Sequence, residues 1–308
     1  MRVAITGATG FIGRRLVDRL LADRHEVVAL TRDPTRARAT LPRAARAVRW
    51  DPRAGTVDAT ALRDLDAVVH LAGESVAGGR WTAARKAAIR DSRVLGTEAL
   101  MRALTEAPAG ARPRALVAAS AIGIYGDRGD VELDERAPPG GDFLAEVCSA
   151  WEAAARGAAD LGVRVAIVRI GIVLGRDGGA LGRMLPLFRL GLGGRLGSGR
   201  QWMSWIHVDD LVALFVCALA NDAVTGVLNG VAPRPVTNAE FTRTLAAALA
   251  RPAILPAPAF ALRLALGEMA TLLLASQRVV ANAVRACGFR FEHAELTSAL
   301  ADLCHPLR

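Results

Sequence analysis

Runs rich in valine and isoleucine recur along the first part of the chain: RVAIT, EVVAL, AVRW, DAVVHLAG, ALVAAS and VRVAIVRIG. They read as apolar almost throughout instead of alternating with polar residues, so each must be covered on both faces. Between them lie helical stretches at about 11–24, 82–106 and 143–161. Apolar strands separated by amphipathic helices predict a parallel sheet with helices on both sides, a doubly wound α/β fold. After residue 170 the texture changes. A glycine-rich stretch, GLGGRLGSGRQWMSW at 191–205, precedes a helix at about 209–220 and a short strand at 226–230, and the rest reads as mostly helical. The expected layout is a nucleotide-binding body over 1–232 and a smaller, mostly helical C-terminal substrate lobe over 233–308. Residues 173–204 contribute to that lobe, and a module of its own spans about 252–300.

The first strand runs into TGATGFIG, which sets Gly7, Gly10 and Gly13 at the mouth of a helix. Glycines at this spacing permit a tight turn, a close approach of backbone N–H groups to a pyrophosphate, and close packing of helix on strand. The pattern predicts a Rossmann-type dinucleotide site built from Gly7, Thr9, Gly10, Phe11, Ile12 and Gly13. At the end of the second strand an NAD enzyme places Asp or Glu to take the ribose 2′-hydroxyl. This chain has Thr31 and Arg32 there. A hydroxyl followed by a guanidinium suits a 2′-phosphate, so NADP (NADPH) is expected in preference to NAD. The competing reading puts Arg32 in a solvated loop with Arg36 and Arg38.

Composition removes several classes. The 39 Lys+Arg against 30 Asp+Glu give a net charge of +9. The arginines are scattered, with no adjacent run and no interleaved aromatics, so no nucleic-acid partner is expected. Cys148, Cys217, Cys287 and Cys304 form no CxxC pair, which predicts neither a zinc site nor a disulfide framework and fits a reduced, cytoplasmic setting. The chain starts directly on MRVAITGATG, without the basic start and long apolar core of a signal peptide. Its most lipid-like stretch, 254–275, is interrupted by Pro256, Pro258, Arg263 and Glu268. A buried or interface helix, with no membrane partner, is the expectation.

TGATGFIG, HLAG at 70–73, SRVLGT at 92–97, SAIGIYG at 120–126 and WIHVDDL at 205–211, in this order, resemble the extended short-chain dehydrogenase/reductase superfamily. HLAGESVAGGRWTAARKAAIRDSR, DFLAEVCSAWE, RIGIVLG, LGEMATLLLASQRV and GFRF resemble one atypical branch of it, the epimerase-family proteins. The resemblance implies that Leu71, Ala72 and Gly73 run beside the adenosine ribose and pyrophosphate, that Glu74 enters the cleft, and that Arg93 stands near the cofactor ribose. It places the superfamily's catalytic serine at Ser120, and it sets Ile170, Gly171 and Ile172 where the nicotinamide passes. In relatives a long helix pair often forms a dimer, so the helices at 82–106 and 143–161 are candidates for a homodimer.

In active members of that superfamily a tyrosine exchanges the substrate proton, and a lysine four residues on holds the nicotinamide ribose and lowers the tyrosine pKa. Aligned on Glu152, those positions fall on Leu144 and Cys148. The chain's one tyrosine is Tyr125 and its one lysine, Lys86, precedes it, so no Tyr-x-x-x-Lys motif exists anywhere. Tyr125, five residues past Ser120, either exchanges the proton or lines the substrate pocket. Lys86 belongs to a solvated helix face. Cys148 reads as a buried thiol, and His207 with Asp209 and Asp210 reads as an acid–base cluster or as a helix cap joining the lobes. No metal-ligand spacing stands out. Two functions remain: an NADP-dependent oxidoreductase or epimerase of a small polar, possibly sugar-derived substrate assisted by Ser120 and Tyr125, or a non-catalytic NADP(H) sensor.

Overall fold

The structure is a computed structural model that describes residues 1–52, the short strand at 56–57, and 64–304. Strand β1 (Arg2–Thr6) leads into α1 (Phe11–Ala22), then β2 (Glu26–Thr31), α2 (Pro34–Thr40), β3 (Arg46–Asp51) and β4 (Thr56–Val57). Next come β5 (Ala67–His70), α3 (Ala83–Glu106), β6 (Ala115–Ala121), β7 (Glu132–Leu133), α4 (Phe143–Arg156) and β8 (Arg164–Ile170). The main sheet has the order β12-β8-β6-β5-β1-β2-β3-β4, with β12 at Gly226–Gly230. All its pairings are parallel except the β3–β4 edge. The strand order reverses between β1 and β5, and in such sheets ligands lie at the C-terminal edge of that reversal.

Both faces of the sheet are buried, as the unbroken apolar runs require. Val3, Ile5, Val69 and Val117 pack with Leu16, Val17 and Leu20 of α1 on one side. Ala4, Val68 and Leu116 pack with Leu100 and Leu104 of α3 on the other.

A second cluster is assembled from β9 (Ile172–Gly175), α5 (Gly179–Arg189), β10 (Trp202–Met203), β11 (Trp205–His207), β13 (Val236–Thr237) and α7 (Asn238–Ala248), while α6 (Val208–Ala220) packs on the main sheet through Leu211, Leu214 and Phe215. Then follow α8 (Ala259–Leu266), α9 (Thr271–Leu274), β14 (Arg278–Val279), α10 (Asn282–Ala286) and α11 (Leu296–Cys304). The stretch 254–275, expected as a buried or interface helix, is not one continuous helix. Gly267 takes φ +60, a conformation side chains disfavour, and splits the stretch into two short helices. No residue of α8 is buried, and Phe260 and Leu264 are exposed. No helix among the described residues is long and apolar enough to cross a membrane.

Candidate active site

The glycine turn sits at the strand reversal. Gly7 has φ +70, and a Cβ there would lie 2.9 Å from the Leu71 carbonyl carbon, so only glycine lets the β1 and β5 ends meet. A methyl at Gly13 would collide with the Gly7 carbonyl oxygen. Gly10 caps α1 with no side chain bonded to the first N–H groups, and the first turn holds no acid. That end of α1 is left free for an anion. Thr9 is exposed beside it, Ile12 packs on the core, and Phe11 lies against Gly175 and Gly178, joining the turn to the far wall. Thr31 Oγ1 accepts the Asp33 N–H at 3.3 Å. Arg32 projects into solvent with Nη1 3.8 Å from Glu74 Oε1, and Glu74 Oε2 is 3.9 Å from Arg85 Nη1.

Behind HLAG runs a chain of bonds that the sequence reading missed. The Leu71 and Ala72 N–H groups both donate to Thr6 Oγ1 at 3.1 Å. With its lone pairs taken, Thr6 gives its own proton to His70 Nδ1 at 2.8 Å. That leaves His70 Nε2 as the donor to Thr97 Oγ1 at 3.0 Å, and Thr97 donates to the Arg93 carbonyl at 2.7 Å. Every proton in the chain has one place, so the imidazole is neutral with a single tautomer. Burial accordingly holds the His70 pKa down at about 4.

The chain ends on the helical turn that carries Arg93. Its guanidinium donates to the Glu74 and Ile89 carbonyls at 3.1 and 3.0 Å and lies 5.1 Å over the Trp151 ring. It also covers Gly73, where a Cβ would be 3.0 Å from Arg93 Cζ. Burial lowers the Arg93 pKa, while Cys148 and Glu74 oppose that shift. The side chain thus spans from the end of β5 to α4 beside Cys148, the position aligned with the missing lysine.

The two expected catalytic residues, Ser120 and Tyr125, both lie in the interior. Tyr125 is fully buried: its hydroxyl donates to Asn229 Oδ1 at 2.7 Å and accepts from Arg169 Nη1 at 2.9 Å. Burial raises its pKa against the opposing Arg169 charge, so the phenol neither faces a cleft nor ionises readily. Ser120 is also buried, donating to Glu152 Oε1 at 2.8 Å. Glu152 also accepts two bonds from Arg169, at 2.8 and 3.0 Å, and one from Arg156 at 2.8 Å. Burial pushes the Glu152 pKa up, but Arg169, Ser120 and Arg156 outweigh it and hold the carboxylate ionised. These groups pin β6, β8, β12 and α4 together.

Around the vacated catalytic positions the surface is apolar. Leu144 packs on Gly123, and the buried Cys148 thiol is pushed up to about 11 by desolvation, with Arg93 opposing. A thiol that stays protonated at neutral pH is a poor nucleophile. Ile170, Gly171 and Ile172 are half-buried at the C-terminal end of β8, where a Cβ at Gly171 would meet the Ser204 carbonyl at 2.5 Å.

His207 caps α6, its Nδ1 accepting the Asp209 N–H at 3.2 Å. Asp209 pairs with Arg15, while Asp210 accepts the N–H groups of Glu292 and His293 and ties the C-terminal segment to α6. Among the described residues, His207, Asp209 and His293 come nearest to a metal-binding group. Their chemistry opposes it. The cap bond leaves the His207 proton on Nε2, which faces Asp302 Oδ2 at 3.3 Å, off the hydrogen-bond direction. The two imidazoles stack 3.7 Å apart at 26°, so their in-plane lone pairs do not converge on one ion.

A parallel sheet with a glycine turn and an uncapped helix start at its reversal point defines a dinucleotide-binding protein of the short-chain dehydrogenase/reductase kind. More narrowly, the chain belongs to the NAD dependent epimerase/dehydratase family, which it matches over residues 3–229, and residues 257–303 match a Domain of unknown function (DUF1731). It is 44% identical to the Arabidopsis thaliana epimerase family protein SDR39U1 homolog, chloroplastic, over 97% of this chain and 86% of that protein. It is 43% identical to the epimerase family protein Mb2239 of Mycobacterium bovis, over 97% and 96%. A crystal structure of human epimerase family protein SDR39U1 (isoform 2) with NADPH superposes with a TM-score of 0.89 at 39% identity, covering 100% of both chains.

Proposed function

We propose that the chain binds NADPH at the β1–β5 reversal and transfers hydride to a small molecule, with Arg93 in place of the absent lysine. The observation that carries this is the position of the Arg93 guanidinium, which lies against Gly73 and Trp151 and whose charge acts on Cys148. The free α1 N-terminus and Arg32 supply the anion-binding groups that a pyrophosphate and a 2′-phosphate need, and the similar human structure contains NADPH. When bound, the cofactor supplies a hydride. The chain's own part is to hold the ribose with Arg93, to present an apolar surface with Leu144 and its neighbours, and to cover the sheet edge with residues 233–308. No side chain at the old tyrosine position exchanges a proton, so that proton comes from solvent.

The engagement of Ser120 by Glu152 and of Tyr125 by Asn229 favours a second reading, an NADP(H) sensor without turnover. Two measurements separate the readings. NADPH fluorescence titration of Arg93→Ala and Arg93→Lys should show affinity weakened about tenfold by alanine, the size of one charge-assisted hydrogen bond, and largely kept by lysine. Loss of the nicotinamide absorbance band is then followed against carbonyl compounds, sugars and nucleotide sugars. Tight binding with no oxidation by any of them supports the sensor.

A further inference from the structure

We propose that the part of the substrate facing the nicotinamide is apolar, an aryl or branched alkyl group next to its reacting carbon, and not a sugar ring. This rests on the reading that NADPH occupies the cleft, and it replaces the sugar-derived substrate expected from the sequence.

Leu144, at the tyrosine position, belongs to a cluster drawn from four parts of the chain, with Ile89 of α3 at its base. Val76 and Trp81 come from the segment after β5, Phe143 and Leu144 from the first turn of α4, and Met269 and Leu272 from the C-terminal module. Trp81 is edge-on to Phe143 at 5.3 Å, and its indole N–H already donates to the Val76 carbonyl at 2.8 Å. Val76, Phe143, Leu144 and Leu272 are only partly buried. Their half-exposed side chains present an apolar surface at the position aligned with the superfamily tyrosine, the kind of lining an apolar ligand group covers.

Most of the cationic and hydroxyl groups beside this cluster are bonded within the protein, and the Glu74 carboxylate faces Arg32 and Arg85. Lys86 makes two bonds to Glu268, at 2.7 and 2.9 Å, and lies 4.7 Å over the Phe143 ring. Arg85 donates to the Ser75 carbonyl, Arg183 to the Ala77 carbonyl at 2.6 Å, and Arg93 to the Glu74 and Ile89 carbonyls. Ser120 gives its proton to Glu152. A sugar ring placed here would lose hydration from several hydroxyls and gain few partners, whereas an aryl or alkyl group would lose nothing and cover the open apolar edges.

The test uses the full chain saturated with NADPH, with cofactor binding measured first so that its failure is charged to the proposed function alone. Calorimetry then compares 4-phenyl-3-buten-2-one, an apolar enone, with UDP-glucose. The enone should bind at least about tenfold more tightly, the minimum set by one unpaired buried hydroxyl. Leu144→Asn and Phe143→Ser should weaken the enone by about tenfold with NADPH affinity unchanged, and Leu144→Met should keep it, because methionine preserves volume and polarity. Folding of each variant is checked by thermal melting; the two polar variants lie on separate side chains, so one misfolding leaves the other. Tighter binding of UDP-glucose, binding of neither compound, or enone affinity indifferent to folded polar variants overturns the proposal.

Discussion

Ser120 donates its hydroxyl proton to Glu152 Oε1 across 2.8 Å of buried space, while three further bonds from Arg169 and Arg156 fill that carboxylate. The residue at the superfamily's serine position is here one spoke of an ionic hub. Glu152→Gln leaves the buried Arg169 charge without its carboxylate, with only neutral partners such as Tyr125, and should cost about 3–5 kcal/mol in urea unfolding. Ser120→Ala removes only one spoke and should cost about 1 kcal/mol with NADPH affinity unchanged. Equal losses in the two variants would contradict this assignment.

Tyr125 is held by Asn229 and Arg169 away from any cleft. Tyr125→Phe is therefore expected to lower stability by about 1–2 kcal/mol, the cost of leaving those partners unsatisfied. Cofactor affinity and any NADPH oxidation rate should stay as in the parent. A large fall in rate with intact binding would return the phenol to a proton-transfer role.

His70 is neutral in the folded protein, with its pKa near 4 because burial disfavours the cation. Unfolded, it titrates at about 6.5. The folded state therefore binds fewer protons below that value, and its stability should be full above pH 6.5 and fall as the pH drops toward 4. The difference is on the order of 3 kcal/mol. Chemical denaturation across that window, in the parent and in His70→Asn, isolates the effect: the variant should show the shallower dependence.

Arg32 lies 3.8 Å from Glu74 and is otherwise open to solvent. Arg32→Asp should weaken NADPH by about tenfold or more, through loss of a charge-assisted bond and gain of repulsion, with NADH affinity equal or improved. Glu74→Gln should tighten NADPH modestly, since it removes the carboxylate that competes for the guanidinium. Titration of both coenzymes against both variants reads the outcome; an unchanged preference in Arg32→Asp would remove the 2′-phosphate assignment.

Much of the architecture was legible in the residues. The apolar runs require a sheet covered twice, and the spacing of Gly7, Gly10 and Gly13 requires a strand-to-helix turn, because these are local demands of backbone geometry and burial. One tyrosine and one lysine, in the wrong order, exclude the usual catalytic pair by composition alone. Tertiary structure alone decided what the remaining polar groups do. Ser120 meets Glu152 across 32 positions, Thr6 meets His70 across 64, and Tyr125 meets Asn229 across 104. A side chain's chemistry is set by its neighbours, and no local pattern states who those neighbours are. For that reason Tyr125, which read as a candidate base or a pocket-lining residue, lies bonded to Asn229 and Arg169, while Arg93, one arginine among many, lies over Trp151 with its charge acting on Cys148.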